Sequence, residues 1–331
     1  MGGTREVITV PAGRGCLRGT CHKPQGQTSE SVPDQERGKT IGILFLSWVL
    51  PRAGNGDSAV YWAEFMAKCG YLAFRFDLPG LGDSDGDLST PGIDVEAGAF
   101  GPALSSIVDH LVDCFHLKAV VVVGNCAGAV TAVYAATANE HIKGLILLDP
   151  YFHVQQSGEV QTLLNNWNKR FFKTFGAGWA VQSKLRAAAV QLLSGLRNIY
   201  HGLSRNRLFV RRKRLPSAAN LQLIHCWIDL TSAGIPILVL TSSSYAPKAG
   251  GFDYIDYLQR RSPRGSRMSL EPVEGASHAF AERQSREAVG KCTERWLQAC
   301  FPIPKCTGAQ DSEPQAAELA NAILGTDRNV R

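Results

Sequence analysis

The chain has 331 residues, a formal charge of +6 and ordinary apolar and charged fractions, enough for a large buried core in one domain or two. No apolar run approaches the roughly 20 residues of a membrane helix, and Met1–Val10 lacks the basic-then-apolar layout of a secretory signal. Nine cysteines, an odd number without paired C-x-x-C spacing, fit neither a disulfide framework nor a zinc site, and a reducing cytoplasmic setting is the simplest expectation.

Alternation at Val7–Val10 and Cys16–His22 predicts an opening antiparallel hairpin, which makes Cys16, Cys21 and His22 strand residues rather than metal ligands. A polar linker, Gln25–Lys39, follows. Ile41–Leu46 and Tyr71–Phe76 are near-continuous apolar runs, and Val60–Cys69 between them has helical spacing through Tyr61, Trp62, Phe65 and Met66. Ala103–Phe115 reads as a helix, Ala119–Val123 as a buried strand and Ala129–Ala136 as a small-residue helix. Strands at Gly144–Leu148, Ile235–Leu240 and Met268–Val273 and a closing helix at Arg286–Cys300 complete the series. Strands alternating with helices predict an α/β fold with a mostly parallel central sheet and helices on both faces.

The most informative stretch is the junction Gly124-Asn125-Cys126-Ala127-Gly128, a nucleophile elbow with cysteine where serine is usual. A strand that turns sharply into a helix holds its tip residue in strained backbone, and flanking glycines let strand and helix approach. Cys126 then stands at a helix N-terminus, which favours the thiolate. Taken alone, the five residues fit a buried structural cysteine equally well.

Three stretches join the elbow to give a resemblance. They are Pro51-Arg52-Ala53-Gly54, the loop from Arg75 to Gly86, and Gly275-Ala276-Ser277-His278 ending at Phe280. Together they resemble the α/β-hydrolase superfamily over roughly Val7 to Phe301, and within it the hydrolases associated with bacterial exosortase systems. The resemblance implies Cys126 as nucleophile, His278 as base, and an oxyanion hole formed by the N–H of Ala127 and that of Val49, in the loop after the Ile41 strand. That loop departs from the family pattern, with Ser47 and Trp48 where many members carry His-Gly. The acid is open. Its usual place after the Ile235–Leu240 strand is filled by Thr241, Ser242, Ser243, Ser244 and Tyr245. Asp253 is favoured because the loop after that strand is the commoner source; Asp149, which closes the Gly144 strand, is the alternative, and a Cys126–His278 dyad is a third. Either aspartate fits a helix cap or turn equally. Asp77, Gly80 and Gly82 read as structural residues of their loop.

The expected domain organisation is a hydrolase core at 1–150 and 233–301, a helical cap inserted at 151–232, and a flexible tail at 302–331. In the insertion, Leu185, Ala189, Leu192, Leu196 and Ile199 share one helical face that could roof an acyl pocket or simply pack. Arg205, Arg207, Arg211, Arg212, Lys213 and Arg214 form the densest basic run, a solvated face or a docking site for an acidic acyl carrier protein; no nucleic-acid motif accompanies it.

These readings converge on an acyl hydrolase of the esterase or thioesterase type, acting on a small-molecule acyl substrate through a Cys126 thioester without cofactor or metal. Acyl transfer through the same thioester is the first alternative, since the superfamily includes cysteine enzymes of both sorts, dienelactone hydrolases and polyhydroxyalkanoate synthases. A non-catalytic binding protein on a hydrolase scaffold is the second.

Overall fold

The computed structural model describes residues 4–13, 15–25, 40–47, 50–86, 95–154, 215–245, 248–249 and 252–303. Strand β1 (Arg5–Ala12) pairs antiparallel with β2 (Gly15–His22), so Cys16, Cys21 and His22 lie in a strand as the alternation predicts. There follow β3 (Ile41–Leu46), α1 (Ser58–Lys68), β4 (Leu72–Phe76), α2 (Gly101–Phe115), β5 (Ala119–Asn125), α3 (Ala127–Ala138) and β6 (Ile142–Leu148). After the excursion come α4 (Leu221–Ser232), β7 (Ile237–Ser242), the two-residue strands β8 (Lys248–Ala249) and β9 (Phe252–Asp253), α5 (Tyr254–Arg261), β10 (Met268–Val273) and α6 (Arg283–Cys300).

Eight strands form one sheet in the order β1-β2-β4-β3-β5-β6-β7-β10, with every pair from β4 to β10 parallel. All seven residues of β5 are buried, the mark of a central parallel strand covered on both faces. Its side chains alternate between two cores. Val120 and Val122 join Leu44, Phe74, Ile107 and Val130 under α2, α3 and α4. Val121 and Val123 join Phe45, Trp62, Met66, Trp296 and Leu297 under α1 and α6. A period of two along the strand thus supplies both layers.

Two boundaries differ from the sequence reading. Helix α4, assigned by sequence to the insertion, packs with the core: Leu223, Ile224, Trp227 and Leu230 are buried in the α3 layer. It starts at Asn220, whose side chain accepts the Leu223 N–H at 3.1 Å, a side-chain cap. Strand β7 runs to Ser242, two residues past the predicted end, which puts Ser242 in the sheet rather than in a loop. The segment 155–214 lies outside the described residues, and with it the Leu185–Ile199 face and the basic run Arg205–Arg214; so does the tail after Ile303. Val154 N donates to Ala218 O at 2.8 Å and Asn220 N to Phe152 O at 2.8 Å, which joins the exit of β6 to the start of α4. Among the described residues no helix is long and apolar enough to cross a membrane.

Candidate active site

The central parallel strands end along one edge of the sheet, where loops of an α/β fold gather functional groups. Backbone bonds tie their ends together: Cys126 N donates to Leu148 O, and Asp149 N to Leu240 O, each at 2.9 Å. Cys126 stands at the junction of β5 and α3 with φ 53° and ψ −111°, a conformation that side-chain-bearing residues rarely adopt. The flanking glycines permit it. A Cβ at Gly124 would lie 2.4 Å from Gly128 O, and one at Gly128 would lie 2.8 Å from Leu46 O. The elbow expected from the letters is therefore a steric necessity of the fold. Cys126 is partly accessible, and it precedes the first helical amides, Ala127 and Gly128, which have no acceptor one turn back within the helix.

Asp149 closes β6 with φ 44° and is fully enclosed. Its Oδ1 accepts the Ser242 N–H at 2.7 Å, and its Oδ2 accepts the Ser242 hydroxyl at 2.6 Å and His278 Nδ1 at 2.8 Å. These donors satisfy a carboxylate that burial would otherwise penalise. Since an ionised carboxylate only accepts, Nδ1 carries the imidazole proton. The hydrogen bond to Asp149 first and the interaction with the neighbouring Cys126 side chain second hold the imidazole pKa up at about 10, against the lowering effect of partial burial. The His278 loop is fixed on β7 by Ser243 N to Ala276 O at 3.0 Å and Gly275 N to Ser243 Oγ at 2.8 Å. Phe280, fully buried, anchors its far end.

Cys126, His278 and Asp149 are thus brought together, and Asp253 is not. Asp253, the aspartate favoured by sequence, is the N-cap of α5, where its Oδ1 accepts the Asp256 N–H at 3.0 Å. The physical reason is the small β8–β9 pair: it turns the chain into α5 directly after Asp253 and commits the carboxylate to that helix. Val49 and Trp48 lie outside the described residues. Sequence reasoning gave Ser242 no role; the signal was the hydroxyl run in the usual place of the acid, which is a ready set of donors. Among the described residues no three His, Cys, Asp or Glu side chains gather as metal ligands.

Beside Ala127 lies a small recess of about 10 Å³, the scale of a single water, lined by Ser47, Leu78, Leu81, Val95, Phe100, Gly128 and Thr131. Its walls are mostly apolar and it opens onto the start of α3.

Comparison with known proteins agrees with this architecture. Residues 43–290 match the model of the alpha/beta hydrolase family, and the chain belongs to that family. Among individual proteins, the mitochondrial palmitoyl-protein thioesterase ABHD10 of Mus musculus is 32% identical over 102 residues, and that of Rattus norvegicus is 31% identical over 102 residues. Each match covers 31% of this chain and 31% of the relative, so the chain matches under a third of these proteins' length. The fold is shared with the alpha/beta hydrolase GrgF from Penicillium sp. sh18, at TM-score 0.56 and 14% identity over 91% of this chain and 100% of that one. It is shared also with TT1662 from Thermus thermophilus, at TM-score 0.54 and 15% identity over 92% and 100% of the two chains.

Proposed function

We propose that the chain is an acyl hydrolase for ester or thioester bonds, in which Cys126 is the nucleophile, His278 the proton carrier and Asp149 the acid that orients it. The observation that carries this reading is His278, hydrogen-bonded to Asp149 and within electrostatic reach of Cys126, which sits at the tip of a strained elbow. With its pKa held up at about 10, His278 already carries the proton at neutral pH, and the Cys126 sulfur attacks the acyl carbon. Oxygen then bears the negative charge, which the Ala127 N–H at the head of α3 stabilises. Collapse of the tetrahedral species expels the alcohol or thiol, which receives the proton from the imidazolium. Water enters by the reverse sequence: His278 accepts its proton, oxygen attacks the thioester, and Cys126 is released with the free acid.

The thioesterase named among the relatives acts on the same bond class. The cysteine elbow and the Pro51–Gly54 stretch favour the exosortase-associated branch of the family as this chain's neighbourhood.

Intact-protein mass after brief exposure to a panel of short- and long-chain acyl thioesters tests the reading, with Cys126→Ala in parallel. An adduct present only with Cys126, and decaying in water, supports hydrolysis. An adduct that decays only when an amine or alcohol is added identifies an acyltransferase. No adduct and no released thiol leaves a binding protein on a hydrolase scaffold.

A further inference from the structure

At the end of β7 the chain makes a four-residue turn, Ser242–Tyr245, closed by Tyr245 N donating to Ser242 O at 3.1 Å. Its members grip the catalytic frame at different points. Ser242 holds the Asp149 carboxylate, and Ser243 holds the loop that carries His278. Tyr245 takes a third point: its hydroxyl donates to the carbonyl of Pro150, the residue directly after Asp149, at 2.6 Å. That bond spans 95 positions of sequence and has no part in the chemistry above.

What the bond does follows from the backbone it holds. Asp149, at φ 44°, is in the left-handed region, which a residue with a side chain keeps only where its surroundings enforce it. On the N-terminal side the chain is tied, since Asp149 N donates to Leu240 O at 2.9 Å. On the C-terminal side the next backbone donor is missing, because proline has no N–H. There the tie is the Tyr245 hydroxyl on the Pro150 carbonyl. Burial, and after it the nearby Asp149, push the Tyr245 phenol up, so it keeps its proton and remains a donor.

Resting on the acyl-thioester reading above, we propose that Tyr245 is a positioning residue for the acid: by pinning Pro150 it holds Asp149 in its left-handed backbone with Oδ2 turned to His278. It acts through Pro150 and Asp149 rather than on the reacting atoms. Without the hydroxyl the corner relaxes toward an ordinary backbone conformation and carries the carboxylate off the line of Nδ1, and a hydrogen bond weakens steeply with such misalignment.

A second tyrosine separates this role from a structural one. The Tyr71 hydroxyl also donates to a backbone carbonyl, that of Phe301 at 3.3 Å, but it does so just before β4, at the opposite ends of the parallel strands. Tyr245→Phe and Tyr71→Phe each delete one such hydroxyl, so a general loss of stability is common to both. With p-nitrophenyl butyrate as the probe, Tyr245→Phe is expected to lower kcat by about 10-fold, short of the roughly 10²-fold that a 1 Å misplacement can cost. KM should stay within about three-fold of the unaltered protein, since ground-state binding is untouched. The two titratable groups that bear on the His278 imidazole are Asp149 and Cys126, and Asp149 is the larger cause of its raised pKa of about 10. In Tyr245→Phe the imidazole, followed by NMR with His278→Gln to assign it, should therefore titrate about one pH unit or more below its value in the parent. Tyr71→Phe should match the parent in both readings. Pro150→Gly, which keeps the hydroxyl and frees the corner itself, should move both in the same direction as Tyr245→Phe, and it carries the test should that variant fail to fold. A kcat for Tyr245→Phe within about two-fold of that for Tyr71→Phe overturns the proposal. An imidazole that titrates as in the parent overturns it as well. If the unaltered protein releases no p-nitrophenol, the acyl-thioester reading itself fails, and the His278 titration in Tyr245→Phe still decides whether the tyrosine holds Asp149 to the imidazole.

Discussion

His278 Nδ1 lies 2.8 Å from Asp149 Oδ2, at the end of β6, while Ser242 at the end of β7 donates both its amide and its hydroxyl to the same carboxylate. The strand end where the family resemblance places an acid thus holds the residue that steadies an acid from next door. Three donors on one enclosed aspartate make the arrangement stiff, and they assign distinct consequences to each substitution around it.

Asp149→Asn should reduce turnover by about 10²-fold or more, as loss of the histidine's orienting carboxylate does in related machinery. Asp253→Asn should leave kcat near that of the parent and cost at most about 1 kcal/mol, the scale of a helix cap. Steady-state kinetics and melting curves on the two variants decide the assignment; equal and negligible kinetic losses would point to a Cys126–His278 dyad.

Ser242→Ala removes a hydroxyl donor from a buried carboxylate and should destabilise the protein by about 1–3 kcal/mol. Chemical denaturation reads this directly. Ser242→Thr, which keeps the hydroxyl, should recover most of it.

Cys126 should be the cysteine whose iodoacetamide labelling depends on His278. Burial pushes the Cys21 and Cys69 thiols up to about 12 and that of Cys226 to about 11, so these should label slowly at neutral pH. Peptide mapping over time should show Cys126 slowed in His278→Ala and the other sites unchanged. Labelling of Cys126 that ignores His278 would remove the basis for a nucleophile.

The folded imidazole pKa of about 10 lies above the ordinary value of 6.5. Between those values the native state binds more protons than the unfolded chain, so this contribution is complete below pH 6.5 and is lost as pH rises toward 10. The difference in melting temperature between the protein and its His278→Gln variant should therefore be largest near pH 6 and shrink toward pH 10. A difference that grows with pH would contradict the pairing. The half-exposed ring keeps the effect modest.

Gly124→Ala should be among the most damaging single-methyl additions, since the new carbon would meet backbone 2.4 Å away. Backbone cannot yield as a flexible side chain does, and a loss of about 3 kcal/mol or more in denaturant midpoints is expected.

The elbow and the parallel core were legible in the sequence because both depend on local order. Val120–Val123 must be a buried strand, and Gly124 and Gly128 bracket a turn that larger residues would block. The pairing of His278 with Asp149 was not, because it depends on where two strands end relative to each other. Asp149 and Ser242 are 93 positions apart, and only the parallel register of β6 and β7, with Leu148 opposite Leu240, brings them together. Asp253 was ambiguous for a related reason: a carboxylate in a glycine-rich loop fits a catalytic acid and a helix cap alike until the following helix is placed. The bond from the Arg52 amide to the Asp77 carboxylate joins residues 25 apart through a loop and a strand edge, a contact that no periodicity reports.

The pairing of Val154 with Ala218 and of Asn220 with Phe152 has a consequence for how α4 is held. Two stretches more than sixty positions apart are tied to each other directly, so the place where α4 begins is set against the exit of β6 by contacts made at both its ends. A change at Asn220 would therefore be felt twice, as a lost helix cap and as a loosened join between β6 and the layer that α4 shares with α3.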